Sequence, residues 1–486
     1  MSADASTTSL DPAAPQDRLP AQLYQIARLA CPTIAQMAAY TVMEFINTLM
    51  LSRLGSREPT AAVNAGILTY ALVSLGIGTV LLVNTLVSQS FGRGNRSECG
   101  RYLWQGVWFS VFYALLLVPV GLGAGAVFRW FGHEPALVAM ESVYMRVCLG
   151  GAILQILVTT MGQFLLATDR PFPVFVAAVA GVCVNILAGY TLIFGHFGLP
   201  AMGVAGAAWG RNAGVGVEVL GLAVVALGPV SVRQFGALSV RLRLREMAEL
   251  LRLGLPTGVQ QMADVMAWSL FANLVIAHFG TDAMAANSFV FRAFLVSFMP
   301  AVGLGAAVTA LVGRSIGARD LPLASRYGHL GFFVGCIYML ACGVGFLIWR
   351  QQVIGLFTSD REIILIGARL MVFAAAFQLF DAMCIIYSSA LRGAGDTLVP
   401  GVATAVLNWA VTIGGGLWVA RHFPQWGPNG PWLAGLVFIA SLGLFLCLRF
   451  VGGNWKSIHL QTPGSGQAAI GGAAMLAPLE SAGIAR

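Results

Sequence analysis

The stretch RLACPTIAQ, residues 28–36, returns as RLGLPTGVQ at 252–260. Arg28, Leu29, Pro32, Thr33 and Gln36 recur in the same order and spacing as Arg252, Leu253, Pro256, Thr257 and Gln260. A second pair, SFGRGNRSECGRY at 90–102 and SIGARDLPLASRY at 315–327, keeps nearly the same offset. The chain therefore reads as two copies of one unit.

What each copy contains follows from composition. Of 486 residues, 58% are hydrophobic and 10% charged, where a soluble domain carries about 25% charged residues. A folded surface in water needs more polar cover than this, so the chain belongs in a bilayer. A span needs about 20 apolar residues, and in lipid it must be helical, because each backbone N–H and C=O has to find its partner within the segment. Twelve such runs are predicted, at 24–52, 61–89, 102–128, 140–167, 172–194, 203–228, 249–279, 283–312, 326–349, 363–391, 397–421 and 431–452. Six fall in each copy, so both copies run in the same direction. The expected fold is an all-α membrane protein, with twelve transmembrane helices in two pseudo-symmetric six-helix bundles. Its parts are a disordered cytoplasmic N-terminus (1–22), a first bundle (23–228), a cytoplasmic linker (229–248), a second bundle (249–452) and a flexible tail (453–486). The opening stretch 1–22 is polar, with no basic and then apolar pattern of a cleavable signal.

Basic residues orient the spans. With the N-terminus inside, cytoplasmic segments carry 16 arginines and lysines and the opposite side 6, a positive-inside bias. Both termini are then expected to be cytoplasmic. The net charge of +8 is scattered over these loops and is no nucleic-acid patch. The eight cysteines show no CxxC spacing and read as small core residues. A membrane-embedded transferase would need a DDxxD-type acid pair or a histidine cluster, and neither is visible. Two like bundles facing a central cleft make a transporter plan. The bilayer is the expected surrounding, the expected state is a monomer, and no cofactor is expected.

Four acids lie inside spans: Glu44, Glu218, Asp264 and Asp381. An ionised carboxylate in hydrocarbon costs about 2.5–3.5 kcal/mol on insertion scales, so such groups face a cavity, find a partner or bind a cation. Asp381 shares a helix face with Gln378 and Ser388. Asp264 shares one with Thr257, Gln260, Gln261 and Trp268, and Glu44 with Gln36, Tyr40 and Asn47. A structural partner for Asp381 would be Arg292 or Arg369. Glu218 and Arg211, seven positions apart, are expected to pair with each other. Trp268 and Phe271 are candidates to stack on an aromatic cation.

Three stretches point further: LPTGVQQMAD at the start of the second unit, LIFGHFGLPAMGVAGAAWG at 192–210 and SALRGAGDT at 389–397. With the twelve-span repeat, the chain resembles the multidrug and toxic compound extrusion (MATE) family of bacterial NorM-like exporters, from about Leu23 to Gly452. The resemblance implies an antiporter, not an enzyme, which expels amphipathic organic cations in exchange for H⁺ or Na⁺. It places ion coupling on Asp264, eight positions after Pro256, and on Asp381, ten before Leu391. Na⁺ at these two acids is the only metal binding it leaves open. Asn185 matches a family asparagine. NTLM (47–50) stands where the family usually begins DTxM, so Asn47 replaces the first-lobe acid, and Gly189 stands where relatives often have an acid or Asn. Glu44, one turn before Asn47, is the candidate substitute. Substrate contacts are expected from Gln36, Tyr40, Asn47, Asn185, Gln260, Gln261, Trp268, Asn287 and Gln378. The alternatives within the same superfamily are a lipid-linked oligosaccharide flippase, which would line its cleft with arginines, and a dedicated metabolite exporter.

Overall fold

The computed structural model describes residues 19–55 and 57–458. Among the described residues ten helices are long and apolar enough to cross a membrane, and two bent pairs, Pro135–Gly150 with Ala152–Ala167 and Val204–Ala226 with Pro229–Phe235, bring the spans to twelve, one for each predicted run. They are α1 (Leu19–Ser52), α2 (Glu58–Gly92), α3 (Arg96–Leu122), α4 (Pro135–Gly150 and Ala152–Ala167, bent by 40°), α5 (Pro171–Phe194) and α6 (Val204–Ala226). The second six are α7 (Leu244–Phe279), α8 (Thr281–Gly317), α9 (Leu321–Ile348), α10 (Arg361–Ala394), α11 (Leu398–His422) and α12 (Asn429–Val451). Of the N-terminal stretch expected to be disordered, residues 1–18 lie outside the described residues and 19–22 open α1. Of the tail, 459–486 lie outside them, while Asn454–Ser457 forms a short 3₁₀ turn that buries Trp455. The segment joining the units contains the helix Pro229–Phe235.

Local sequence explains the boundaries. Gly395 takes φ 86° and ends α10, a left-handed conformation that glycine adopts without a Cβ clash. Gly195 does the same for α5, at φ 76°. Two spans are irregular along their length. α7 passes through a π-helical turn at Phe271–Val275, and α11 through another at Asn408–Gly415. Such turns loosen the backbone ladder and recur at functional sites.

The two units pack against each other along one seam. Gly78 of α2 meets Gly258 of α7 so closely that a Cβ on Gly78 would stand 2.7 Å from the Cα of Gly258. Side-chain bonds bridge the units: Thr33 Oγ1 donates to Gly303 O (3.0 Å), Asn84 Nδ2 to Ala306 O (3.3 Å), Thr85 Oγ1 to Arg392 O (2.8 Å) and Gln89 Nε2 to Gly393 O (3.0 Å). Asp169, in the turn after α4, faces Arg28 at 3.3 Å and Arg314 of the second unit at 3.7 Å. Every described hydrogen bond and ion pair between the units lies in the arginine-rich half of the spans. The opposite half carries none among the described residues.

Each unit has its own apolar core, and each lends a helix start to the other. Ile26, Leu29 and Ala30 of α1 are buried in the core of the second unit. Met247 and Leu250 of α7 are buried in the core of the first.

Candidate functional site

The acids lie just above the seam. Asp264 is six positions past Gly258, about 9 Å along the axis of α7, and Asp381 is eleven before Arg392, about 16 Å along α10. Asp381 is 7% exposed, and its Oδ2 has no hydrogen-bond partner. Neither Arg292 nor Arg369 pairs with it among the described ion pairs, and Arg292 is exposed on α8. Asp264 is half-buried, and its Oδ1 accepts a 2.9 Å bond from Asn408 Nδ2, at the start of the π turn in α11. Cys384, one turn beyond Asp381, lies within electrostatic reach of both acids. The second unit thus holds two carboxyls near one point, with neutral groups around them.

The walls explain the remaining polar residues of this unit. Gln378 is fully buried; its Nε2 donates to Ser297 Oγ (3.1 Å) and its Oε1 is unpartnered. Asn287 is 2% exposed, and its Oδ1 accepts from the indole of Trp432 at 3.0 Å. It therefore ties α8 to α12. Trp268 is half-buried in an aromatic cluster, edge-on to Phe271, Phe291 and Phe438. Gln260 is half-buried near Gly401 of α11, and Gln261 turns its unpartnered Oε1 to Gly78 across the seam.

In the first unit the expected pair of Arg211 and Glu218 does not form. Their spacing brings them to one face but about 10 Å apart along the axis, and each has nearer partners. Glu218 Oε1 accepts from the hydroxyl of Tyr40 and, at 3.5 Å, from Gln36 Nε2. Arg211 bonds Tyr144 and feels Glu44, and the amide oxygen of Gln155, turned to satisfy both residues, accepts two bonds from its guanidinium at 2.9 Å. Glu44 is exposed and serves as counter-charge to Arg211, apart from Gln36 and Tyr40. Asn185 is 1% exposed with an unpartnered Oδ1. Asn47 is half-buried beside Gly189, where the absent side chain leaves its Oδ1 3.8 Å from the Cβ position.

Sequence reading assigned Glu218 to the wrong partner and passed over Asn408. The signal for Asn408 was available: it is a lone amide in an apolar run, and the repeat aligns it with Asn185 to within one position. Two surface clefts, one of about 490 Å³ beside Met50 and Tyr190 and one beside Arg369 and Trp426, include none of these acids. Among the described residues no three His, Cys, Asp or Glu side chains converge as a metal site.

The repeat is also what the comparison with known families finds. The MatE model matches twice, at residues 32–191 and 256–415, with the offset of the sequence repeat. The chain belongs to the MatE family. Membership makes it a transporter and not an enzyme, as the sequence motifs implied. It is 28% identical over 447 residues to the multidrug resistance protein PmpM of Pseudomonas aeruginosa, covering 89% of this chain and 92% of that protein. To a probable multidrug resistance protein NorM of the same organism it is 30% identical over 451 residues, covering 90% of each. Among solved structures, one described as the outward-facing conformation of a multidrug resistance MATE family transporter matches with a TM-score of 0.80 at 19% identity, over 90% of this chain and 97% of that one. A eukaryotic MATE transporter matches with a TM-score of 0.79 at 18% identity, over 90% and 96%. These likenesses carry the fold of the MatE chain.

Proposed function

We propose that this MatE transporter exports amphipathic organic cations in exchange for H⁺ or Na⁺, with Asp381 and Asp264 as the groups that alternate between the two. The observation that carries the reading is the state of Asp381: a buried carboxylate with an unpartnered oxygen and no arginine at hand, near a second acid held only by an amide. Such a site keeps a place for a mobile cation. The multidrug resistance names of the relatives support organic substrates. Its arginine distribution supports both termini on the cytoplasmic side, and its bacterial relatives support an inner membrane as its location.

The cycle follows from charge. With the arginine-rich seam closed, the cleft opens outward and an entering H⁺ or Na⁺ neutralises an acid. The attraction for a bound organic cation is lost, and it departs. The units then rock, the small ion leaves inward, and the bare carboxylates attract the next cation. A one-for-one exchange of H⁺ for a monovalent organic cation moves no net charge, so the potential cancels, and one pH unit, about 1.4 kcal/mol, supports a gradient of about tenfold. A lipid-pyrophosphate flippase fits less well: Arg211 is matched by Glu44 and Gln155, and among the described residues no arginine pairs with Asp264 or Asp381.

The test is ethidium efflux from proteoliposomes, with pH and sodium gradients imposed separately. Export driven by one of them, and lost in Asp381→Asn, is the expected result. Wild-type efflux in both Asp381→Asn and Asp264→Asn sinks the assignment. Flipping of a lipid-linked sugar without cation efflux sinks the function.

A further inference from the structure

The reading above puts coupling in the second unit alone. The first unit contains a carboxyl that it leaves without a task. Glu218 is 3% exposed in α6. Both described hydrogen bonds, from Tyr40 and Gln36 of α1, reach the same oxygen, Oε1. Oε2 has no described partner and points toward α5, where a Cβ on Gly181 would lie 3.5 Å away.

Among the described residues no cation balances it. The elements packed against α6 are α5, α4, α2 and α1. From α4, Tyr144 and Cys148 face Arg211, Glu141 is held by His133 and Asn64, and Arg146 is exposed. From α2, Tyr70 is within reach of Arg211, and Glu58 lies at the outer end. From α1, Glu44 faces Arg211 and Arg28 faces Asp169. The α5 residues opposite Glu218 are Gly181 and, one turn on against Gly214, the neutral Asn185. Arg211 itself is engaged by Gln155, Tyr144 and Glu44. A buried carboxylate left in this state is costly unless a cation comes to it.

The repeat says where this acid sits. It aligns Tyr40 with Asp264 and Gln36 with Gln260. It also brings Asn185, to within one position, onto Asn408, the partner of Asp264. The first unit thus has the counterpart of the Asp264 site with tyrosine in place of the acid, and α6 supplies the carboxylate to that tyrosine.

We propose that Glu218 is a second proton-exchanging carboxyl of the transporter, lodged in the first unit and held for that task by Tyr40 and Gln36. One proton from cleft water adds to Oε2 and later leaves to water on the other side. The bonds at Oε1 stay in place throughout, and no other bond forms or breaks. The proposal rests on the antiport reading for its role in export, but not for the protonation itself.

Infrared difference spectra of the full-length protein in nanodiscs, between acidic and alkaline pH, test the protonation without transport. A protonated-carboxyl band is expected that disappears in Glu218→Gln, changes frequency in Tyr40→Phe and persists in the Asp264→Asn, Asp381→Asn double variant. An unchanged wild-type spectrum in Glu218→Gln overturns the proposal, as does a band that answers to Na⁺ at fixed pH and not to pH. In proteoliposomes under a pH gradient, Glu218→Gln lowers ethidium efflux at least tenfold and Glu218→Asp restores part of it. Wild-type efflux in Glu218→Gln overturns the role in coupling. If the unaltered protein exports no cation at all, the antiport reading fails while the spectra still decide the protonation.

Discussion

The two units share a frame and differ in how they place charge upon it. In the second, the first helix carries the acid itself: Asp264, bonded by Asn408. In the first, the same position is Tyr40, and the acid stands across the groove on α6 as Glu218. The second unit adds Asp381, whose matching position in α4, one repeat earlier, is Leu157. A duplicated scaffold therefore fixes where polar side chains can gather without fixing which helix brings the charge.

The comparison can be broken at its strongest point first. Asp381→Asn removes a buried charge from the second unit, and export should fall about a hundredfold, corresponding to about 3 kcal/mol. Transport in everted vesicles, read against the amount of protein in the membrane, measures it; a drop as small as that of a surface change would make the units equivalent. Gly258→Leu forces a side chain into the backbone of α2 at the seam. Overpacking of this kind costs about 1–3 kcal/mol, so the arginine-rich half should stay ajar. A Ser88→Cys thiol, buried in the seam of the unaltered chain, would then react with an impermeant reagent from that side.

Smaller effects sharpen the contrast. Asp264 is half-buried and better solvated than Asp381, so Asp264→Asn should lower efflux about thirtyfold, less than its neighbour. Asn408→Ala removes one hydrogen bond to that carboxylate, worth about 1.5 kcal/mol or about tenfold. An equal loss in Asn185→Ala would show that the two amides serve both units alike. The least effect is expected from Asp169→Asn. Its ion pairs to Arg28 and Arg314 are partly exposed, with 29% of the Asp169 side chain accessible. A change of about twofold, vanishing at high salt, is the expected result of efflux assays at two ionic strengths.

Much of this was legible in the chain itself. The twelve spans follow from apolar length, because lipid allows a lone segment no other way to satisfy its backbone. The repeat is written in residues that do packing work at the seam, such as Thr33, whose counterpart Thr257 borders the Gly78 contact. The separate partners of Arg211 and Glu218 were not legible. Helical spacing gives the face that a side chain occupies, but not which neighbouring helix stands opposite, and here α1 and α4 each took one of the two charges. The neighbour of Glu44 was hidden for the same reason. It shares a face with Tyr40 on paper, yet one further turn along α1 brings it to Arg211.

The exchange of helix starts between cores has a consequence for synthesis. When the first six spans have left the ribosome, their core still lacks Met247 and Leu250, and the start of α1 has no core to enter, because the one that receives Ile26 and Leu29 does not yet exist. The earlier half must wait half-finished in the bilayer for the later one. Two fragments cut between residues 228 and 244 would each be incomplete alone, and would mature only when made together.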